Sequence, residues 1–336
     1  MTRYRHQYVE RETGRVRTEA IFADRLVRTL YSTARESAPA LFRALTGRRA
    51  SGLLGYLNYD LALGAHLSGG KGFLRRLGVD LSECVEEPAV LDTVRKVFER
   101  RIRYWECRPM PADPRVALSP ADARVLVGSL CETSALFLKG KFFDYEELLG
   151  PDRRRWLQAF HGGDWAVFRL TPEKYHYNHT PVAGRVVDHY DLPGDYHSCN
   201  PAAVIALATP YSKNRRVVTV IDTDVPGGTG VGRVALIEVV ALMIGDIVQC
   251  YSEVRYERPR PLGCGMFLGR GAPKSLYRPG SSTDVVLFQR GRVRFDADLV
   301  RNRADARVAS RFSLGFQAPL AETEVRVRSS IARRVA

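Results

Sequence analysis

Length, composition and charge place this chain among folded proteins. It has 336 residues, of which 45% are hydrophobic and 26% are charged, which excludes a disordered chain and allows one large domain or two. The formal net charge of +14 at pH 7 predicts attraction to nucleic acid, anionic lipid or an acidic substrate, and a solvated basic surface explains the charge equally well.

The N-terminal part of the chain is predicted to be mainly helical. Residues 8–14 look like a hairpin or turn. Over residues 23–45 apolar side chains recur at helical spacing, with a break at Pro39, and arginines occupy much of the remaining surface. Such basic amphipathic helices can lie on an anionic bilayer, or they pack on the protein's own core with their arginines solvated. A further helix is predicted over residues 88–104.

A boundary is predicted near residue 108, because Pro109, Pro111 and Pro114 follow closely. Beyond it, β-branched or alternating segments predict strands over residues 116–118, 123–127, 165–170, 182–187, 217–221, 234–244 and 285–288. We therefore predict an α+β fold. A mainly helical N-terminal region, residues 1–108, would contact a membrane surface, and a β-rich domain would span residues 109–336.

The cysteines and the most apolar segments limit the cellular setting. The six cysteines form no C-x-x-C pair, so we expect reduced thiols in a cytoplasmic protein rather than a zinc site or a disulfide framework. The N-terminus lacks an apolar segment behind its positive charges, so we expect no secretory signal. The most apolar run, residues 234–248, contains Glu238 and Asp246 and is too short to span a bilayer. Any membrane contact is expected to be peripheral.

Three stretches contain residues suited to catalysis. Residues 175–181 read Tyr-His-Tyr-Asn-His-Thr-Pro, and no compact cluster supplies the third donor that a metal site at its two histidines would need. Residues 119–122, Ser-Pro-Ala-Asp, read by themselves as a turn or helix cap. In residues 277–288, Pro279-Gly280 forces a turn, two serines follow, and a short buried strand comes next. Each stretch alone is ordinary structural sequence.

Together these stretches resemble the phosphatidylserine decarboxylase family. Residues 168–181 are similar to that family's Tyr-His-x-x-His-x-Pro signature, and residues 119–123 resemble its Pro-x-Asp-Gly, with Ala123 in place of the glycine. Residues 277–288 resemble its self-cleavage site, Gly-Gly-Ser-Thr before an apolar strand. The resemblance runs over nearly the whole chain and is weakest over residues 53–109.

The resemblance implies a proenzyme that cuts itself before a serine. A gapless alignment puts Ser282 on the nucleophile and Ser281 on the usual glycine, which yields a β chain of residues 1–281 and an α chain of residues 282–336. A one-residue insertion instead makes Ser281 the nucleophile. Asp122 and His179 would complete the triad: His179 takes the hydroxyl proton and is oriented by Asp122. His176 would handle protons during decarboxylation.

The same resemblance implies the activity and its partners. The chain would convert phosphatidylserine to phosphatidylethanolamine and carbon dioxide, through a Schiff base with a pyruvoyl group made from Ser282 or Ser281, without pyridoxal phosphate or metal. We expect an anionic phospholipid partner, peripheral attachment to the cytoplasmic face of a membrane, association of the α and β chains, a possible homodimer, and no nucleic acid. Ala123 puts the loop beside Asp122 in doubt, because alanine is strained at positive φ.

Three alternatives remain open. A pyruvoyl-dependent relative acting on a soluble amino acid would use the same chemistry without lipid contact. A hydrolase with a Ser-His-Asp triad would not cut itself. A basic nucleic-acid-binding module would explain the charge, but the chain has no recognisable reading motif.

Overall fold

A computed structural model describes residues 5–21, 31, 79–87, 89–131, 142–207, 209–241, 246–279 and 282–335. Within these ranges the chain mixes helix and sheet, and the sheets dominate. The predicted mixture of helix and sheet is therefore confirmed. The helices predicted over residues 23–45 lie outside the described residues, apart from Tyr31, and so do Gly280 and Ser281, so the helical N-terminal region stays a prediction.

The described elements are mostly strands, and none of the helices is long. The strands are β1 (Gln7–Glu10), β2 (Val16–Thr18), β3 (Val116–Leu118), β4 (Ala123–Ser129), β5 (Asp164–Leu170), β6 (Tyr177–His179), β7 (Gly184–Leu192), β8 (Arg216–Asp222), β9 (Arg233–Val239), β10 (Ile247–Gln249), β11 (Phe267–Leu268), β12 (Pro273–Tyr277), β13 (Ser282–Phe288), β14 (Val293–Phe295), β15 (Glu322–Val325) and β16 (Ser330–Arg334). The helices are α1 (Val94–Phe98), α2 (Tyr104–Cys107), α3 (Tyr145–Leu149), α4 (Arg154–Phe160), α5 (Pro201–Ala206), α6 (Pro210–Lys213), α7 (Ala297–Arg303) and α8 (Arg311–Phe316), with a 3-10 turn at Leu81–Glu83. No helix among the described residues is long and apolar enough to cross a bilayer.

The strands form one large sheet and two small ones. The large sheet has ten strands in the order β11-β7-β8-β9-β13-β5-β4-β15-β1-β2, and its pairs are antiparallel except β1 with β15. The small sheets have the orders β10-β12-β6 and β14-β16-β3. Strand β13 therefore lies in the middle of the large sheet, with β9 on one side and β5 on the other.

The two faces of the large sheet are covered by different layers. Side chains alternate between faces along a strand, and in β13 Val286 and Phe288 belong to a hydrophobic cluster that also contains residues of the two small sheets. Val285 and Leu287 belong to a second cluster, which contains side chains of helices α3, α4, α5, α6 and α8. The same alternation puts Ser282 on the face covered by the small sheets.

The apolar run of β13 explains why this strand is central. All seven of its residues are buried, and fully burying a valine, leucine or phenylalanine side chain contributes roughly 1.5–3 kcal/mol. A strand that is apolar on both faces is stable only between two covering layers. The chain therefore holds the segment that begins with Ser282 at the most enclosed position of the sheet.

The strands predicted over residues 116–118, 123–127, 165–170, 217–221 and 285–288 are all present, most of them longer than predicted. The predicted strand at 182–187 is shifted to Gly184–Leu192, and β9 ends at Val239 rather than continuing to residue 244. The turn predicted over residues 8–14 is the β1–β2 hairpin, closed by the Gly14 amide, which donates to the Glu10 carbonyl at 2.8 Å. Gly14 has a φ of +67°, a conformation that favours glycine.

The single helix predicted over residues 88–104 is wrong. Helix α1 ends at Phe98, helix α2 starts at Tyr104, and Ile102 between them forms a β-bridge with Cys84. Arg100, which follows helix α1, is only 6% exposed. Its guanidinium donates to the carbonyls of Val97 and of residues 173 and 174. The Val85 amide donates to the Arg101 carbonyl, and the Arg103 amide donates to the Glu83 carbonyl, both at 2.9 Å. This backbone pairing replaces the helical hydrogen bonds that local spacing predicts.

Candidate active site

Ser282 is a buried residue at the start of a central strand. It is the first residue of β13, pairs with Leu170, and is 2% exposed. Its Oγ is buried without a partner within the described part of the chain. Leaving a buried hydroxyl unpaired costs about 1–3 kcal/mol, so such a group calls for a functional explanation. Its face of the sheet points toward the small sheet that contains β6.

Strand β12 links the histidine motif to the loop before Ser282. It pairs with β6, and the Tyr277 amide donates to the His176 carbonyl at 3.0 Å. The Tyr277 hydroxyl reaches across to β13, where it lies 3.0 Å from the Thr283 carbonyl and 2.7 Å from Asp284 Oδ1. Tyr277 therefore connects the residues on both sides of the segment 278–281 to the histidine motif.

His179 is fully buried and both of its ring nitrogens are hydrogen-bonded. Nδ1 lies 2.8 Å from the Gly271 carbonyl, and Nε2 lies 3.0 Å from the Tyr175 hydroxyl. The Tyr104 ring packs edge-on against the imidazole, with centroids 4.8 Å apart. Burial lowers the pKa of His179 to about 3. The imidazole is therefore neutral at neutral pH, which is the state a general base requires.

His176 is also buried, but only one of its nitrogens is bonded. Nδ1 lies 2.7 Å from the Lys174 carbonyl, whereas Nε2 is buried without a partner within the described residues. Phe98 stacks on the ring with centroids 3.6 Å apart. Since a carbonyl only accepts, Nδ1 carries the hydrogen and Nε2 has a free lone pair. Burial, with a contribution from Arg100, lowers the pKa of His176 to about 3.

Asp122 is held by an arginine rather than by a histidine. Arg108 donates to its two oxygens, at 2.7 Å from Nη2 to Oδ2 and 3.0 Å from Nε to Oδ1, and also binds Glu83 at 2.8 Å. The Val327 amide donates to Asp122 Oδ1 at 2.8 Å. Burial acts to raise the pKa of Asp122, but Arg108 and this amide outweigh it and hold the pKa below its ordinary value. In this structure the contacts that orient His179 come from Gly271 and Tyr175.

The alanine after Asp122 is not strained. Ala123 is the first residue of β4, is fully buried, and does not have a positive φ. The loop geometry that the missing glycine put in doubt is therefore ordinary extended backbone.

A polar cleft of about 450 Å³ opens beside Asp122. Its lining includes Arg100, Arg108, Lys174 and Tyr175. The cleft therefore brings the carboxylate of Asp122 and the ring of Tyr175, the contact residue of His179, next to space that a small polar group can enter.

Comparison with known proteins shows to which family these residues belong. A family model described as phosphatidylserine decarboxylase matches residues 94–313. The phosphatidylserine decarboxylase proenzyme of Bordetella petrii is 32% identical over 234 residues, which cover 66% of this chain and 78% of that protein. The proenzyme of Ruminiclostridium cellulolyticum is 26% identical over 296 residues, covering 88% and 91%. That of Chlamydia trachomatis serovar L2 is 28% identical over 333 residues, covering 97% of each chain.

The chain belongs to the phosphatidylserine decarboxylase family. Members of this family are carboxy-lyases. Asp122, His176, His179 and Ser282 all lie inside the matched span of residues 94–313, so the predicted family resemblance is confirmed over the part of the chain that contains the candidate site. Their individual roles stay predictions.

Several residues that surround the decarboxylase motifs in space belong to no motif in the sequence. Arg108 and Glu83 flank Asp122 in space, and Tyr256 reaches Tyr175 from a loop 81 residues further along the chain. Tyr175 is part of the histidine motif, but the motif assigns it no role. Tyr256 has no local signal, because it sits in an arginine- and proline-containing loop with no recognised pattern.

Proposed function

We propose that this chain is a phosphatidylserine decarboxylase made as a proenzyme that cuts itself before Ser282. The observation that carries the proposal is the buried Ser282 hydroxyl at the start of β13, which has no partner among the described residues. Tyr277 joins this position to the segment that contains His176 and His179. The alternative nucleophile, Ser281, lies outside the described residues.

In the proposed self-cleavage, His179 is the base and Ser282 is the nucleophile. The Ser282 Oγ–H bond breaks, its proton goes to His179, and Oγ bonds to the carbonyl carbon of residue 281. The peptide C–N bond then breaks and the nitrogen takes a proton, which leaves an ester between the two parts. The neutral state of His179 supports its role as base. Asp122 acts on it through space, since its negative charge favours the imidazolium.

Elimination from that ester would remove the Cα proton, break the Cβ–Oγ bond, release residue 281 as the carboxylate end of the β chain and leave dehydroalanine at position 282. Addition of water and loss of ammonia would then give a pyruvoyl group at the new terminus of the α chain, where its carbonyl supplies the electron sink that decarboxylation of an amino acid needs. The surroundings of residue 282 fit such a group, because the Ser282 hydroxyl is buried at the start of a strand and has no competing partner within the described ranges. His176 offers its unprotonated Nε2 as an acceptor for a hydrogen-bond donor of the substrate. An anionic substrate beside that ring would favour the protonated form that returns a proton.

The α and β chains are expected to remain one folded unit after cleavage. The α chain contributes β13, and β13 makes ladder hydrogen bonds with β5 and β9 of the β chain. β15 of the α chain likewise pairs with β1 and β4. Separating the chains would expose the most apolar strand of the large sheet.

Mass spectrometry of the purified protein tests the proposed processing. We expect a small chain that starts at residue 282 and is lighter than the encoded sequence by one ammonia, because the terminal amine has been replaced by a keto group. Hydroxylamine or borohydride, which react with ketones and imines, should abolish activity. A free amine at every terminus of active protein, with activity that survives hydroxylamine, would overturn the proposal.

We further propose that the substrate is presented on an anionic membrane surface, with peripheral attachment at the cytoplasmic face and a homodimer as one possible assembly. The net charge of +14 supports attraction to anionic lipid. Vesicles of phosphatidylcholine with and without phosphatidylserine test the surface. We expect co-sedimentation and decarboxylation with the second kind only, weakened by salt. Decarboxylation of a free amino acid, without vesicle binding, would favour a soluble substrate instead.

A further inference from the structure

His179 is the end of a chain of hydrogen bonds that contains two tyrosines. Its Nε2 lies 3.0 Å from the Tyr175 hydroxyl, which lies 2.6 Å from the Tyr256 hydroxyl. The Tyr256 hydroxyl in turn faces both polar groups of Ile102, at 2.9 Å from the carbonyl oxygen and 3.2 Å from the amide nitrogen. This series of hydrogen bonds therefore runs from the backbone of Ile102 to His179, the candidate base.

Counting donors fixes the direction of every bond when His179 is neutral. The Gly271 carbonyl only accepts, so Nδ1 carries the ring hydrogen and Nε2 must accept. Tyr175 then donates to Nε2, Tyr256 donates to Tyr175, and the Ile102 amide donates to Tyr256. Every hydroxyl in the chain has both a donor and an acceptor partner.

The same atoms satisfy the protonated histidine after both hydroxyls rotate. Nε2–H donates to the Tyr175 oxygen, Tyr175 donates to Tyr256, and Tyr256 donates to the Ile102 carbonyl. Ile102 offers a donor for the first arrangement and an acceptor for the second. His179 can therefore change its charge inside a buried site without leaving a hydrogen bond unmade, which otherwise costs about 1–3 kcal/mol.

The surrounding charges make such support necessary. Burial is the largest influence against the imidazolium, and Arg328 and Arg108 also disfavour it, whereas Asp122 favours it. Both oxygens of Asp122 are committed to Arg108, and one of them also accepts from the Val327 amide. In the described residues the hydrogen bonds to the His179 ring come from Tyr175 and Gly271.

The loop that carries Tyr256 is held in an unfavourable backbone conformation. Arg255, Tyr256 and Arg258 have φ values of +46°, +73° and +45°, each of which costs about 1–3 kcal/mol for a residue other than glycine. The loop is fixed by the Ser252 hydroxyl, which lies 2.7 Å from the Glu257 carbonyl, and by the Arg255 amide, which donates to the Tyr104 hydroxyl at 3.1 Å. This strain is the cost of directing the Tyr256 hydroxyl inward.

We propose that Tyr175 and Tyr256 are positioning residues for self-cleavage, which hold His179 in its Nδ1–H tautomer and stabilise its imidazolium by reversing their hydroxyls. The proposal rests on the proposed function, in which His179 is the base. In the uncut protein the Tyr175 hydroxyl donates to the one lone pair of Nε2, so its hydrogen must first turn toward Tyr256 before Nε2 can accept. Nε2 then gains the proton that the serine loses, holds it in a hydrogen bond to the Tyr175 oxygen, and returns it when the peptide nitrogen leaves.

Self-cleavage of newly made proenzyme, followed by pulse-chase in cell-free synthesis, tests the proposal. We expect Tyr256→Phe to slow cleavage by about 10–100-fold, the range typical of losing a partner that orients a functional histidine, and Tyr175→Phe to slow it at least as much. Tyr177→Phe is the matched control. The Tyr177 ring stacks on Tyr175 and packs against Tyr256, with ring centroids 5.6 and 5.0 Å apart. Its hydroxyl is not part of the hydrogen-bond series that ends at His179, so we expect normal cleavage.

Nitrogen-15 NMR of labelled histidines in the uncut Ser282→Ala protein distinguishes a positioning role of the tyrosines from a merely structural one, because it reports the tautomer and hydrogen bonding of His179. His179, assigned by its loss in His179→Gln, should show a protonated Nδ1 and a hydrogen-bonded Nε2, and Tyr175→Phe should remove the hydrogen-bond shift of Nε2 or switch the tautomer. If His179→Gln is uncut while both tyrosine variants cleave at the parental rate, or if the folded Tyr175→Phe protein keeps the parental spectrum, the proposal is overturned. If His179→Gln itself cleaves normally, the assignment of the base fails instead.

Discussion

A Ser282→Ala variant is expected to remain a single uncut polypeptide with no decarboxylase activity. The variant keeps β13 and its packing, because alanine fits a buried strand position and the lost hydroxyl has no partner among the described residues. It loses the atom that attacks the preceding carbonyl and therefore also the source of the keto group. A denaturing gel and intact mass spectrometry, together with release of carbon dioxide from phosphatidylserine, measure the two effects.

Ser281→Ala is the matched control for this variant. It removes a hydroxyl from the adjacent position, and we expect it to be cut and active, with the same first residue in the small chain. Normal cutting of Ser282→Ala together with an uncut Ser281→Ala would transfer the nucleophile to Ser281 and require the alignment with a one-residue insertion. Cutting of both variants would show that neither serine is the nucleophile.

The second large effect is expected from Arg169→Met, which should destabilise the protein by about 3–5 kcal/mol. Arg169 is 2% exposed, on β5. Its guanidinium binds Glu322 at 2.6 Å and Glu19 at 2.7 Å. Glu322 also lies 2.8 Å from His6. Methionine fills similar space but leaves Glu322 without its arginine and Glu19 with Arg124 alone, and a buried charge that loses its partner is costly.

This network joins three separate parts of the decarboxylase. Glu19 and His6 belong to the N-terminal segment around the β1–β2 hairpin, Arg169 belongs to the centre of the β chain, and Glu322 begins β15 of the proposed α chain. The variant should therefore also weaken the association of the two chains after cleavage. Urea unfolding of the uncut Ser282→Ala protein, with and without Arg169→Met, measures the stability loss without interference from chain separation.

The effect of Arg169→Met should depend on pH. Burial acts to raise the pKa of Glu322, but Arg169 and His6 outweigh it and hold that pKa below its ordinary value of 4.5. A carboxyl with a depressed pKa in the folded state stabilises the protein above the unfolded value, and that contribution is lost as the pH falls through the folded value. The difference between parent and variant should shrink below about pH 4.5. Arg307→Met removes an exposed guanidinium that pairs with the partly buried Asp305. It should leave the unfolding transition unchanged, and a comparable loss there would contradict this account.

Local sequence predicted those elements whose residue types suit only one kind of structure. The valine- and leucine-rich segments of β5, β8 and β13 form strands because β-branched and apolar residues suit a sheet that is covered on both faces. The helix predicted over residues 88–104 failed because the backbone of Arg101 and Arg103 pairs with residues 85 and 83, an earlier segment of the chain. Side-chain spacing contains no information about such a partner.

The candidate site divides in the same way. The histidine motif, the aspartate and the two serines were readable from their stretches, because each stretch keeps its own order of residues and resembles the decarboxylase pattern. The hydrogen-bond partners of those residues could not be predicted from the sequence. They are Arg108 and Val327, which bind Asp122, and Tyr256, which binds Tyr175. Each of these contacts joins parts of the chain that meet only when the sheets pack.

The sequence by itself determined the family, the groups suited to the chemistry, and most of the strands, since these depend on residue identity and on short-range spacing. The tertiary structure decided the charge state and hydrogen bonding of those groups. Burial makes His176 and His179 neutral, Arg108 keeps Asp122 ionised, and a strained loop brings Tyr256 to Tyr175. The physical reason is that pKa values and hydrogen-bond directions depend on which distant groups surround an atom once water has been removed.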